Sequence, residues 1–318
     1  MRSLAPVFQS VLAVVAMTLA ASLWANPAGY SINSRGLDTE DEPINHLWRV
    51  FLSDGRAEKI GPVRNDFVDV EALALSPDGT LYGADDSTNT LLEIDTGSGF
   101  GDPVGRGFEV GNMGLAGTFD FGMSFDCNGR LYVVSAMEQS LFLADLETGR
   151  LRRVGEAGSL GAPITDLAVR GDEVYGIGVG LTREGQEAAP NLYRIDLEEA
   201  SSTLIGPLGA AAAPYNNAGL SFADDGSLWA MTDRRAVGNE DGPSQILRID
   251  PATGTAEAVA ETIIGMESLA VAPPVMCQLR DVARPAGHPI PVFSAPAVLA
   301  LILTVFLMAG VRLRFRQS

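Results

Sequence analysis

Histidine is almost missing from this sequence: among 318 residues only His46 and His288 carry an imidazole. His46 stands just before an expected strand and His288 in a Pro/Gly/Ala-rich linker. Neither lies where chain segments should converge, which excludes His-based nucleophilic triads and most zinc sites. Walker, glycine-rich dinucleotide and His-Glu-x-x-His motifs are absent too. Cysteine is as rare, at Cys127 and Cys277 alone. Cations are outnumbered, 22 Lys+Arg against 40 Asp+Glu, for a formal net charge of −18. Arg2, Arg312, Arg314 and Arg316 belong to the terminal segments; setting those four aside leaves 18 against 40, near −22. Such a balance argues against nucleic acid or anionic lipid as a partner. It leaves cations or basic surfaces as charged partners, or simply keeps an exported protein soluble.

Strongly apolar, uncharged runs stand near both ends. Val11 to Ala25 follows Arg2 and ends in Leu-Trp-Ala before Asn26-Pro27, so residues 1–25 read as a secretory signal peptide cut after Ala25. Val292 to Val311 carries no charge over 20 residues, enough to cross a bilayer. Arg312, Arg314 and Arg316 follow it, which puts the C-terminus in the cytoplasm and the preceding domain outside. Residues 26–280 form that domain, and 281–291 the linker.

What fills the domain is a repeat. An apolar strand, a short Asp/Thr/Gly turn and a second strand recur from Leu47, Leu91, Leu141, Leu192 and Ile246, spaced 44 to 54 residues apart. A period of that size with two strands and a turn per copy points to propeller blades. Gly55, Gly99, Gly149 and Gly254 share the turn column, where a hairpin needs positive φ, and only Ala200 departs. A second strand pair precedes each hairpin, with inner anchors Leu73, Met123, Leu167 and Leu220 and an aromatic column of Tyr82, Tyr132, Tyr175 and Trp229. Four strands per blade follow. Tyr30 extends the aromatic column, so the N-terminus supplies the second, third and fourth strands of one blade. Gly265 to Val271 supplies the missing first strand, with Leu269 in the anchor column. The expected fold is therefore an all-β, five-bladed propeller closed by N- and C-terminal strands in one blade, which confines open sheet edges to the outer strands.

The chain enters the innermost strands at one face of such a ring. Asp69, Glu71, Asp120, Asp166, Asn216, Asn217 and Glu267 stand there. Glu71, Asp120, Asp166, Asn217 and Glu267 are the candidate ligand-binding residues, and Glu71, Asp120 and Glu267 the candidate metal ligands. Converging oxygens suit Ca²⁺, and a carboxylate pair would suit a glycoside or lactone. Solvated positions favour polar residues in any case. The loops 35–45, 180–191 and 233–245 should flank the same face as a recognition surface or as variable decoration. Cys127 and Cys277 belong on the opposite face, where one disulfide would clasp the departing tail to the ring.

The stretch Ile290-Pro291-Val292-Phe293-Ser294-Ala295-Pro296-Ala297, with its helix and Arg-rich end, resembles the Ile-Pro-Thr-Leu-x-x-Trp-Gly tripartite signal that exosortase-type membrane proteases recognise. Ile290, Pro291 and Ser294 match; Val292, Phe293, Pro296 and Ala297 stand where that signal has Thr, Leu, Trp and Gly. The resemblance implies a bacterial envelope protein, sorted by such a protease or held by the same helix. The repeats resemble YVTN/NHL-type blades of bacterial surface proteins, which implies a scaffold and no chemistry. Together these readings describe an exported envelope propeller acting as a binding or structural module. The alternative is a Ca²⁺-dependent carboxylate hydrolase working at the propeller mouth.

Overall fold

The computed structural model describes residues 27–64, 66–179, 190–234 and 242–272. Twenty strands build five four-stranded antiparallel sheets. The first blade holds β1 (Ala28–Ile32), β2 (His46–Phe51) and β3 (Ala57–Pro62). The second runs β4 (Val70–Leu75), β5 (Leu81–Asp85), β6 (Thr90–Ile94) and β7 (Gly101–Pro103). The third runs β8 (Phe121–Phe125), β9 (Leu131–Ser135), β10 (Ser140–Ala144) and β11 (Leu151–Val154). The fourth runs β12 (Ile164–Arg170), β13 (Glu173–Gly178), β14 (Asn191–Asp196) and β15 (Ser201–Pro207). The fifth runs β16 (Ala218–Phe222), β17 (Leu228–Thr232), β18 (Pro243–Ile249) and β19 (Ala256–Ile264). The last strand, β20 (Ala270–Ala272), returns to pair with β1, giving the first blade the order β20-β1-β2-β3. The all-β ring of five blades and its closure by both ends of the domain are as the sequence indicates. The closing strand is shorter than the expected span 265–271, because it is bulged before Ala270.

Register bears out the repeat columns. The residue after each anchor faces the aromatic of its own blade: Ala74 opposite Tyr82, Ser124 opposite Tyr132, Ala168 opposite Tyr175, Ser221 opposite Trp229 and Ala270 opposite Tyr30. The third-strand turns follow from their Asp. Asp95, Asp145, Asp196 and Asp250 each accept a backbone N–H two residues on, at 3.1, 2.8, 2.9 and 2.9 Å, an Asx turn. The chain then passes through φ near 80° at Gly99, Gly149 and Gly254. Ala200, the exception in that column, adopts φ 49° all the same. Its turn keeps the shape without the residue that makes it cheap.

No single core fills the ring. Five apolar clusters lie between successive blades instead. One packs Tyr175, Ile177 and Leu192 of the fourth blade on Phe222, Leu228 and Leu247 of the fifth. Another packs Trp48 and Val50 of the first on Trp229, Met231 and Ile246 of the fifth. Each fully buried Leu, Ile or Phe contributes about 1.5–3 kcal/mol, so blade is held to blade chiefly by apolar burial. At the axis the inner strands approach closely. A Cβ at Gly122 would lie 2.0 Å from the Thr165 carbonyl oxygen, and one at Gly219 would lie 2.2 Å from the Leu269 nitrogen. Backbone contact, not turn conformation, demands glycine there. What remains of the channel on the exit side is a cavity of about 60 Å³ lined by Leu73, Met123, Ala168, Leu220 and Leu269.

Among the described residues no helix is long and apolar enough to cross a membrane. The signal peptide, linker, Val292 to Val311, Arg312, Arg314 and Arg316, and the sorting residues Ile290, Pro291 and Ser294 lie outside the described residues.

Candidate functional site

Three of the five inner strands carry one extra residue near their start. In β4, Val70 faces Asp85 and Ala72 faces Ala84, leaving Glu71 unopposed. In β12, Ile164 faces Gly178 and Asp166 faces Ile177, leaving Thr165. Before β20, Met266 bridges to Asn33 while Ala270 faces Tyr30, so the closing segment also holds one residue more than its partner. Glu267 lies in that bulge. β8 and β16 pair without interruption. A bulge re-aims a side chain at the end of a strand, and here it brings two glutamates to the mouth of the ring.

Beyond the bulges the blades come back into step. Five equivalent hydrogen bonds extend the inner ladders: Asp86 N–H to Asp69 O (2.9 Å), Ala136 to Asp120 (3.0 Å), Val179 to Pro163 (3.0 Å), Asp233 to Asn217 (3.1 Å) and Ser34 to Gly265 (3.3 Å). Asp69, Asp120, Pro163, Asn217 and Gly265 thus share one position around the mouth. Ser34, Asp86, Ala136, Val179 and Asp233 share the next. The fourth blade contributes Pro163 and Val179, so the acidic groups form an arc across the other blades.

Within the arc, one ligand oxygen each of Asp69, Glu71 and Asp86 lies within 4.8 Å of the others. Glu71 accepts the Phe121 N–H (3.2 Å) and Asp86 the Phe119 N–H (2.8 Å), which ties both carboxylates to the third blade. Burial raises the pKa of all three. Asp86 is pushed up to about 6, mainly by burial and against its bond to Phe119. For Glu71, burial acts first and the charges of Glu267, Asp69, Asp120 and Asp86 add to it. Asp69 rises through burial and the charge of Asp85, opposed by Arg35.

Glu267 is pushed up to about 8 by burial, although Arg35 opposes the shift. One Arg35 nitrogen reaches Asp233 at 2.8 Å and Glu267 at 3.1 Å, and the Ser34 hydroxyl donates to Glu267. The guanidinium therefore clamps the fifth blade and the closing segment to the end of β1. Asp85 serves the loop after β5, accepting from Asp69 N, Thr88 N and the Ser87 and Thr88 hydroxyls.

The remaining sequence candidates separate. Asp120 adopts a left-handed backbone, φ 48°, and its charge reaches Glu71 and Asp86. Asp166 is 2% exposed, and its two oxygens accept Met123 N–H (2.7 Å) and Leu220 N–H (2.6 Å), so it staples β12 to both neighbouring inner strands. Asn216 and Asn217 donate their backbone N–H to Asp233. Asn217 accepts Ala218 N–H with its side-chain oxygen, while its amide nitrogen, buried, has no hydrogen-bond partner. Asp86, Asp233 and Arg35 escape a reading confined to the inner strands. Their signal is nonetheless present, since LYGADD and LWAMTD place Asp86 and Asp233 in one column at the ends of the second strands.

On the opposite face Cys127 is not a free thiol. Cys277, the other cysteine of the chain, lies outside the described residues, as do most of the loops at 180–191 and 233–245.

No known family profile matches the chain, and no curated protein matches it. Among solved structures the fold is similar to TolB from Acinetobacter baumannii, at 14% identity and a TM-score of 0.42, covering 78% of this chain and 55% of that one. It is similar also to virginiamycin B lyase from Staphylococcus aureus, at 16% identity and a TM-score of 0.37, covering 73% and 69%. A catalytically inactive form of that lyase with quinupristin gives 16% and 0.38, covering 73% and 70%. The chain spans about half the length of the TolB structure. At such identities neither ligand nor activity passes from those proteins to this one.

Proposed function

We propose that this chain is a cell-envelope β-propeller that works as a binding module, with the acidic mouth as its recognition site and a hard divalent cation, Ca²⁺, as the occupant of that site. The observation that carries this reading is the convergence of Asp69, Glu71 and Asp86, with Asp120 and Glu267 adding charge around them. Oxygen-only donors without imidazole or thiolate suit Ca²⁺ better than softer metals. Their raised pKa values fit the same reading. Carboxylates crowded in a half-buried mouth hold protons that a cation would displace, so affinity should climb with pH through the range around 6 set by Asp86. In this reading the N-terminal segment exports the chain. The C-terminal helix anchors it or hands it to an exosortase-type protease, and the mouth faces away from the cytoplasm.

A specific observation also favours catalysis. Crowded carboxylates with raised pKa values, Asp86 at about 6 and Glu267 at about 8, are the makings of a general acid and a general base, as a hydrolase of lactones or glycosides would need.

Calorimetric titration with CaCl₂ decides the cation, with thermal unfolding as a second readout. Binding in the range of about 10⁻⁴–10⁻³ M is typical of extracellular modules, and saturation at a hundred times Kd would add about 2.7 kcal/mol to stability. Asp69→Asn and Asp86→Asn should each abolish both signals. If the heat and the stabilisation survive in both variants, the mouth is not the site. Turnover of chromogenic glycosides or lactones that disappears in Asp86→Asn would replace the module by the enzyme.

A further inference from the structure

A second surface stands on the other face of the ring, between the second and third blades. There β5, β6, β7 and the turns joining them border a groove of about 670 Å³, with Glu93, Asp95, Phe100, Asp102, Phe108 and Leu146 among its lining residues. The fifth blade has the equivalent groove, of about 720 Å³, between Asp225 and Glu257. The two differ in chemistry rather than in shape.

In each blade one third-strand residue stands across from the aromatic column. Arg49 faces Tyr30, Arg194 faces Tyr175 and Arg248 faces Trp229, while Leu143 faces Tyr132. The Arg194 guanidinium lies 4.3 Å from the centre of the Tyr175 ring. In the second blade the residue facing Tyr82 is Glu93. Seven residues on, the other blades carry Arg56, Arg150, Ser201 and Thr255, and the second carries Phe100. Thus only the second blade has a carboxylate where three of the other four have arginine, and an aromatic ring where two of them do.

Among the described residues that exchange is answered only in part. Glu93 is exposed and makes no ion pair among the described residues. Arg64, a cation beside the groove, lies 5.9 Å from the centre of the Phe100 ring and is engaged by Asp66 at 2.8 Å and Asp102 at 3.6 Å, so it leaves Glu93 unpaired. Phe100 is 48% exposed and Phe108 60%, the latter at φ 52°. A bulky residue held left-handed and in water is uncommon.

We infer that this groove docks a basic peptide segment of another protein. An arginine or lysine of the segment pairs with Glu93, in the place that Arg49, Arg194 and Arg248 fill elsewhere, and an adjoining apolar side chain covers Phe100, Phe108 and Leu146. Charge complementarity selects the partner: the groove is acidic and aromatic, and the remainder of the chain is acidic as well. The mouth takes no part in this contact, so the two sites stand or fall separately.

Fluorescence anisotropy of a labelled peptide alternating arginine and phenylalanine, titrated with the purified full chain, tests the inference. The peptide should bind, and a glutamate–phenylalanine counterpart should not. Glu93→Arg, which restores the arginine of the other blades, and Phe108→Ser should each weaken binding by about tenfold, equivalent to about 1.4 kcal/mol. Both positions are exposed, and circular dichroism verifies that the variants fold. Arg248→Gln, in the equivalent groove, should leave the affinity within about twofold. Three results would overturn the inference: no binding to the wild-type chain, unchanged affinity in Glu93→Arg, or an arginine–serine peptide binding as tightly as arginine–phenylalanine, which marks mere adsorption to an acidic surface.

Discussion

Gly122→Ala is the smallest change that should open the ring. The added Cβ would sit 2.0 Å from the Thr165 carbonyl oxygen and 2.4 Å from the Asp166 Cα, where even a close C–H···O contact needs about 3.3 Å. Both neighbours are backbone, so no side chain can swing aside and β8 must retreat from β12 by about an ångström. That retreat breaks the bond from Met123 N–H to Asp166, now 2.7 Å. Leaving a buried hydrogen-bonding group without its partner costs about 1–3 kcal/mol, and overpacking adds about 1–3 kcal/mol. The sum, about 2–6 kcal/mol, reaches at its upper end the whole stability of a marginal domain. Gly129→Ala is the control: φ there is 75° with nothing within 4 Å of the new Cβ, so only left-handed strain of about 1–2 kcal/mol applies. Urea unfolding of the purified chain, followed by circular dichroism, reads both. Equal shifts of the two midpoints would refute the claim that axial crowding, rather than backbone conformation, reserves Gly122.

Three further outcomes follow from the same reasoning. Truncation after Glu261 removes β20 and should abolish cooperative thermal unfolding, whereas truncation after Arg284 should keep it; superimposable melting curves would count against the closure. Glu267 binds its proton more tightly in the folded chain, about pH 8, than the ordinary 4.5 of an unfolded glutamate. Its contribution is therefore complete below 4.5 and is lost as pH rises through 8, so the urea midpoint should fall between pH 5 and 9 and fall less in Glu267→Gln; a wild-type midpoint that rises over this range contradicts the assignment. Intact-mass analysis of envelope protein should find Asn26 as the first residue, and replacing Ile290 and Pro291 by Ala should leave insertion intact while blocking removal of the tail. Wild-type protein that retains Met1, or that keeps Arg312 to Ser318 in cells with an exosortase, would speak against those readings.

The ring was legible because the blades repeat one local solution, an Asx turn, a glycine, an apolar strand and an aromatic partner, with Phe51 in the Asp column of the first blade and Ala200 in the glycine column of the fourth. Those columns survive in the register residue by residue, even at Tyr30 and Ala270. The bulges were not legible. Counting back from the anchors puts Glu71, Phe121, Thr165, Ala218 and Glu267 in one column, although only three of them are extra residues. Periodicity alone cannot show that, because a bulge leaves the apolar pattern after it unchanged. The mouth was therefore half seen. Glu71 and Glu267 stand where the reading put them, as does Asp69, but the Asp86 that joins Glu71 and the Arg35 that clamps Glu267 come from the end of a second strand and the loop after β1. Asp166 looked like a ligand by its type and place, and only the approach of two neighbouring amides shows it to be a staple.

The seam between β1 and β20 bears on how the chain acquires its shape. Ile32 donates its N–H to the Ser268 hydroxyl at 3.2 Å across 236 residues of sequence. Closing a flexible loop of that length costs about 5 kcal/mol of chain entropy, and less once the intervening blades have formed and drawn the ends together. A three-residue strand offers few ladder bonds against that cost, which explains why Ser268, Glu267 and Arg35 reinforce it. Until residue 272 is available β1 presents an unsatisfied edge, so the four continuous blades must wait, side by side, for residues 265–272 to lock them. A circular permutant that joins residue 272 to residue 27 and opens in a turn elsewhere would make the first blade contiguous and move that vulnerable edge to another sheet.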